Sequence, residues 1–252
     1  MLKEPANRII VFLSLLLIAG AFIAFYLRKE TVVEEEEEIV IPQEPDYSQL
    51  GKCADYIISP YDSLIRAWSD STGLDWRFVS AIVWQESKFN PTVSSSRGAA
   101  GLMQMMPRTA AHWGASDLRN PIESVMAGTR YISALSRRYR NVAADALERQ
   151  KFTLAAYNAG EGRILDCINY ARHRGVDPSY WDNIVAIIPE MRDSTILDVD
   201  TVKLGIFKGH ETIAFVEQVM ARYERYRTLT VSAGSTRDMN RQGMSNSSMI
   251  TK

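Results

Sequence analysis

The stretch from Ser59 to Arg227 is punctuated as a series of helices, and that punctuation constrains the fold more than any other feature of the chain. Asp75 stands before "WRFVSAIVWQES" as an N-cap, and Asn120-Pro121 with Glu123 opens "IESVMAGTRYISALSRRY". Ser59-Pro60 precedes "YDSLIRAWSDS", which Gly73 ends, and Pro107 opens "RTAAHW". "FTLAAYN" runs out at Ala159-Gly160, "GRILDCINYARHRG" follows, "SYWDNIVAII" stops at Pro189, and Gly209 precedes "ETIAFVEQVMARYERYR". Short polar side chains accept from the unpaired N–H groups of a first turn, and proline has no N–H to leave unpaired there. Glycine takes the left-handed conformation that ends a helix. No train of alternating strands competes with this pattern, and no internal repeat appears. The expectation is a mainly α body at residues 51–228, of ordinary single-domain size.

The flanks differ in kind. Ile9 to Leu27 is an apolar run of 19 residues broken only by Ser14 and Gly20, close to the roughly 20 residues needed to span a bilayer core. Residues 1–30 read as an uncleaved signal anchor, a transmembrane helix, in preference to a cleaved signal peptide. No second such run follows, so the body lies on one side of the membrane. Lys3 and Arg8 before the run balance Arg28 and Lys29 after it, which leaves the orientation open. Glu34 to Glu38 repel one another and Pro42 and Pro45 disfavour helix, so residues 31–50 read as an extended acidic spacer. Residues 229–252 are rich in Ser, Gly and Asn without apolar periodicity, and are expected to be a disordered tail.

Composition excludes several chemistries. The formal net charge is -1, with Lys and Arg scattered, so no basic field invites a nucleic-acid partner. Cys53 and Cys167 are the two cysteines, too few and wrongly spaced for a zinc site. "GHETI" has no second histidine four residues after His210, and neither a nucleophile elbow nor a phosphate loop appears. Neither a metal nor a cofactor is expected.

The residues that carry chemistry lie around Glu86. Val79, Ile82 and Val83 form one helical face, and Glu86 extends it, so an acid projects from the apolar side. Lost hydration raises a carboxyl pKa, which suits a general acid near neutral pH. A glutamate at a fraying helix end, turned to solvent or to Lys88, is the plainer alternative. Gly98 and Gly101 then let backbone approach a ligand. Ser94 to Ser96 supply hydroxyls, Gln104 an amide, and Met103, Met105 and Met106 adaptable apolar surface. This set suits a neutral, hydroxylated and amidated ligand such as a sugar.

"ESKFNPTVSSSRGAAGLMQMMPRTA" closely resembles the signature of soluble-lytic-transglycosylase-type (SLT) catalytic domains. "FTLAAYNAGEGRI" resembles that family's second motif, and "GHETIAFVEQVMARYERY" its closing helix. The resemblance covers about residues 55–228. It implies a lysozyme-like domain that cleaves the glycan strands of bacterial peptidoglycan. Carried over by position, Glu86 matches the catalytic acid, and Ser95 the hydroxyl near it. Met103 and Gln104 match residues lining the sugar cleft, Tyr157 and Asn158 the pair facing the reacting sugar, and Glu211 the late helix glutamate. Arg163 to Gly209 is less family-like, which leaves the outlying subsites undefined.

The resemblance also implies a single-acid reaction that closes a 1,6-anhydro sugar. A hydrolytic muramidase, resembling goose-type lysozyme, and an inactive glycan-binding scaffold remain alternatives. Peptidoglycan as partner places the body outside the cytoplasmic membrane, anchored by a single pass. In that oxidising compartment Cys53 and Cys167 can pair, or remain separate thiols.

Overall fold

The computed structural model describes residues 57–247. The apolar run, the acidic spacer and Cys53 lie outside them, and so does the expected Cys53–Cys167 bridge; Cys167 itself is buried.

The mainly α expectation holds. The helices are α1 (Asp62–Thr72), α2 (Trp76–Ser87), α3 (Pro107–His112), α4 (Pro121–Arg138), α5 (Ala146–Ala159), α6 (Glu161–His173), α7 (Trp181–Ile187) and α8 (His210–Ser247). Two 3₁₀ turns, Glu190–Arg192 and Ser194–Asp198, precede α8. Asp75 caps α2 by accepting from the Arg77 N–H, and Asn120 caps α4 by accepting from the Ile122 N–H. Gly73 ends α1 in the left-handed conformation, and Gly160 ends α5. At the first helix the Ser59-Pro60 signal lies slightly upstream of the start. The Asp62 carboxylate accepts from the N–H groups of Ile57, Ile58 and Ser59, and so gathers the entering chain onto the helix. The last helix continues past residue 228, where the sequence reading ends the domain and places a disordered tail.

α8 packs against α2 and α5, α1 against α2 and α4, and α6 joins α5 to α7. Trp68, Ile82, Leu102, Met103, Ile132, Phe152, Leu154 and Ile164 are fully buried. Phe152 stacks on Tyr139 at 5.7 Å between ring centroids and meets Trp181 edge-on at 5.8 Å. Buried carboxylates fasten what apolar contacts leave loose. Glu148 accepts from the Trp181 N–H at 2.6 Å and pairs with Lys151 at 2.7 Å, which seats α7 on α5. Asp166 accepts from the N–H groups of Lys203 and Leu204, and Arg163 donates to the carbonyls of Leu204, Gly205 and Ile206. The long segment before α8 is thereby strapped onto α6.

Candidate active site

The C-terminal end of α2 delivers Glu86. The helix ends at Ser87, where Lys88 (φ 54°) and Phe89 (φ 61°) both adopt the left-handed conformation. Gln104 (φ 46°) is the third non-glycine residue with positive φ among the described residues, and all three belong to the segment around Glu86. Such backbone costs about 1–2 kcal/mol per residue and persists where surrounding structure enforces it, often at functional sites. Ser87 supplies part of that enforcement. It is buried, and its hydroxyl lies 3.1 Å from the Val83 carbonyl and 2.8 Å from the Leu102 carbonyl, so it ties the helix end to the loop after it.

That loop is held by two isolated antiparallel bridges, Ser94 with Ala100 and Ala100 with Met105. The Gln104 side-chain amide donates to the carbonyls of Val93 and Gly101, both at 2.9 Å. The Ser95 hydroxyl accepts from the Ala99 N–H at 3.0 Å and is exposed. Gly101 (φ 78°) is required twice over, because a Cβ there would sit 1.8 Å from the Leu118 carbonyl oxygen.

Glu86 is partly buried, and loss of hydration pushes its carboxyl up to about 8; the nearby Lys88 charge pulls it back only in part. The direction follows from desolvation of the charged form. At neutral pH the group is mostly protonated and still has a proton to give. Among the described residues, Lys88 is the charge that bears on it.

Tyr157 approaches from α5. Its hydroxyl donates to the Met103 carbonyl at 2.6 Å. Burial, then the charge of Glu86, then Tyr131, hold the phenol well above its ordinary range, so it remains an O–H donor. Its ring lies 5.6 Å from that of Tyr131, which lies 5.9 Å from that of Trp113. These three half-exposed rings make an aromatic row. Asn158 is exposed at the end of α5, and its Oδ1 accepts from the Thr212 hydroxyl at 2.9 Å, beside the exposed Glu211 in the first turn of α8. Glu161 opens α6 and pairs with Arg138 at 2.9 Å.

The structure thus brings Glu86 and Tyr157 into one electrostatic neighbourhood, and joins Asn158 to the start of α8. Met103 is placed differently from a cleft-lining residue. Its side chain is fully buried against Gly128, where a Cβ would lie 2.1 Å from its sulfur, and its backbone carbonyl is what faces Tyr157. Met105 is buried as well, whereas Met106 is exposed. Ser87, Trp113 and Tyr131 escaped sequence reasoning. Ser87 stands four residues after buried Val83 and could be read from helical periodicity. The aromatic row joins the end of α3, α4 and α5, and no local pattern announces it.

Residues 63–178 match the family model "Transglycosylase SLT domain". This stretch is similar to SLT domains. Among curated proteins, the chain is 28% identical over 207 residues to a membrane-bound lytic murein transglycosylase F of Desulfosudis oleivorans, covering 81% of this chain and 43% of that protein. It is 33% identical over 153 residues to the protein of the same name from Thiobacillus denitrificans, covering 61% and 32%. The chain therefore spans less than half the length of these relatives. Against the crystal structure of the 70 kDa soluble lytic transglycosylase of Escherichia coli the TM-score is 0.46 at 27% identity, covering 68% of this chain and 24% of that one. Glu86, Tyr157, Asn158 and the loop between them all fall within the matched stretch; Glu211 lies beyond it.

Proposed function

We propose that the chain is a peptidoglycan lytic transglycosylase with a lysozyme-like catalytic domain and Glu86 as its single acid and base. The observation that carries this reading is the state of Glu86, a partly buried carboxyl raised to about 8 at the end of α2, next to the strained segment that follows it. Two-carboxylate glycosidases place their acids about 5–9.5 Å apart. A second carboxylate so close would push Glu86 further up, and none does so among the described residues.

The reaction needs no second acid. Protonated Glu86 donates to the glycosidic oxygen as the bond between N-acetylmuramic acid and N-acetylglucosamine breaks. The acetamido group of the muramic acid stabilises the cation developing at its anomeric carbon. Glu86, now a carboxylate, takes the proton of that sugar's 6-hydroxyl as the oxygen closes on the anomeric carbon. The products are a 1,6-anhydro end and a free 4-hydroxyl, and Glu86 is again protonated. Water is neither consumed nor released.

The other site residues serve this step by position. Thr212 engages Asn158 Oδ1, which leaves the amide N–H₂ as the donor for the acetamido oxygen. Tyr157 has committed its hydroxyl to the loop, so its contribution is the ring and the fixed loop geometry. Gln104 and Ser95 hold the loop's shape, and the Trp113–Tyr131–Tyr157 row offers faces for successive sugar rings. Glu211 and the exposed Met106 border the strand further out. The run at residues 9–27 tethers the domain to the outer side of the cytoplasmic membrane; the relatives' names call them membrane-bound. No described helix is long and apolar enough to cross a membrane, and that run lies outside the described residues.

Digestion of purified sacculi, followed by mass identification of the released muropeptides, tests the proposal. Transglycosylation yields anhydro ends. Reducing ends identify a hydrolytic muramidase, and an undigested sacculus identifies a binding scaffold.

A further inference from the structure

A cavity of about 330 Å³ lies between α2 and α8, on the same helix end as Glu86 but lined by other residues. Its central feature is Trp84. The Lys88 ammonium lies 3.3 Å from the Trp84 ring centroid, and the Arg222 guanidinium carbon 3.0 Å from it. Two groups that close cannot share one face, so the indole is held between two cations. Arg225, one turn further along α8, adds a third positive charge to the wall. Gln85 and Gln218 bridge the two helices at 2.6 Å and give the cavity amide groups.

No carboxylate lines this cavity. Glu224, next to Arg225 on α8, is engaged with Arg227 at 3.0 Å. Lys88 and Arg222 against the ring, with Arg225 further along the wall, are like charges without an acidic partner in the wall, and they repel one another. Partial burial and then the Arg222 charge work against the protonated form of Lys88, and the Glu86 charge offsets them only in part. An anion entering the cavity relieves that repulsion. The volume suits one or two amino-acid residues rather than a glycan strand.

We propose that this pocket binds the carboxylates of the peptide stems carried by peptidoglycan. The inference rests on the transglycosylase reading for the source of the anion, but not for the pocket itself. Lys88 joins the two regions, since it acts electrostatically on Glu86 and forms one wall of the Trp84 sandwich. A strand presented to Glu86 therefore brings its stems to the end of α2 where the cations are gathered. The enzyme would then sense whether a strand is decorated as well as where it is cut.

The rival role, a brace in which the cations merely pack Trp84, is separable because Arg225 is exposed and does not contact the indole. The test is calorimetric titration of the full chain with a free stem tetrapeptide lacking sugar, and in parallel with inorganic phosphate. The tetrapeptide is expected to bind, to weaken with added salt, and to lose about tenfold in affinity in Arg225→Glu while Arg225→Lys retains it. Equal affinity in Arg225→Glu and the parent overturns the pocket, and so does phosphate binding as tightly as the peptide. Assay of the same protein for anhydro ends keeps the two readings apart. A chain that makes anhydro ends but ignores the tetrapeptide refutes the pocket alone. One that binds it through Arg225 yet makes no anhydro ends refutes the transglycosylase reading and leaves the pocket in place.

Discussion

The Tyr157 hydroxyl donates a 2.6 Å hydrogen bond to the backbone carbonyl of Met103, across 54 positions of sequence. This contact joins the two most specific motifs of the chain, and it assigns Tyr157 a task that its place in "AAYNAG" does not reveal. The phenol fixes the loop behind Glu86.

Replacing Tyr157 with Phe therefore removes the donor and leaves a carbonyl without it in a dry place. The expected cost is about 1–3 kcal/mol of unfolding free energy, read by denaturant titration. Turnover should fall as well, because the loop it holds positions the acid. A variant of unchanged stability would show that the bond is incidental.

Glu86→Gln separates catalysis from stability. It keeps the shape of the side chain and removes the proton, so turnover should fall at least about a hundredfold, the lower end for a general acid. Stability should move the other way. The folded carboxyl titrates near 8 against an ordinary value of 4.5. Below 4.5 both folded and unfolded chains hold the proton, and burial of the neutral acid is tolerated. As pH climbs from 4.5 to 8 the unfolded chain releases the proton while the folded one keeps it, so native stability declines across that window. Gln does not titrate. The variant should gain on the parent by on the order of a few kcal/mol at pH 8 and by little at pH 4. Parallel melting curves at the two pH values check this.

The same shift sets the pH–rate profile. On the proposed mechanism the free enzyme needs Glu86 protonated, so kcat/KM should decline as pH rises through about 8. Lys88 draws the carboxyl's pKa down, and Lys88→Met should therefore move the alkaline limb to higher pH. A limb that stays in place would sever the electrostatic link between the two residues.

Gly101→Ala should disrupt the site from a distance. The added Cβ meets the Leu118 carbonyl oxygen at 1.8 Å and demands φ 78° of an L-residue. The left-handed cost of about 1–2 kcal/mol and an overpacking cost of about 1–3 kcal/mol act together, so a loss of roughly 2–5 kcal/mol is expected on thermal unfolding. Gly98→Ala meets no atom within 4 Å and carries only the conformational cost.

Much of this molecule was legible because its helices announce their own ends. Asp75, Asn120, Gly73 and Gly160 act within a few residues of themselves, and their roles follow from local chemistry. Glu86 was legible for the same reason: helical periodicity alone puts it on the apolar face. What local pattern does not encode is who receives a side chain. Met103 has the composition of a cleft residue, but Gly128 opens a hole for it in α4, and it is buried there. Ser95 has the position of a hydroxyl beside the acid, yet the structure shows it accepting the Ala99 N–H. Likewise the cations around Trp84 come from helices more than a hundred residues apart, and only packing brings them together.

The central claim is that one acid at Glu86 cuts the glycan without water. Digesting sacculi in ¹⁸O-labelled water with the full chain, and weighing the released ends, tests it most directly. The account predicts anhydro ends that carry no label, and none of them from Glu86→Gln. Reducing ends carrying ¹⁸O at the anomeric position would contradict it.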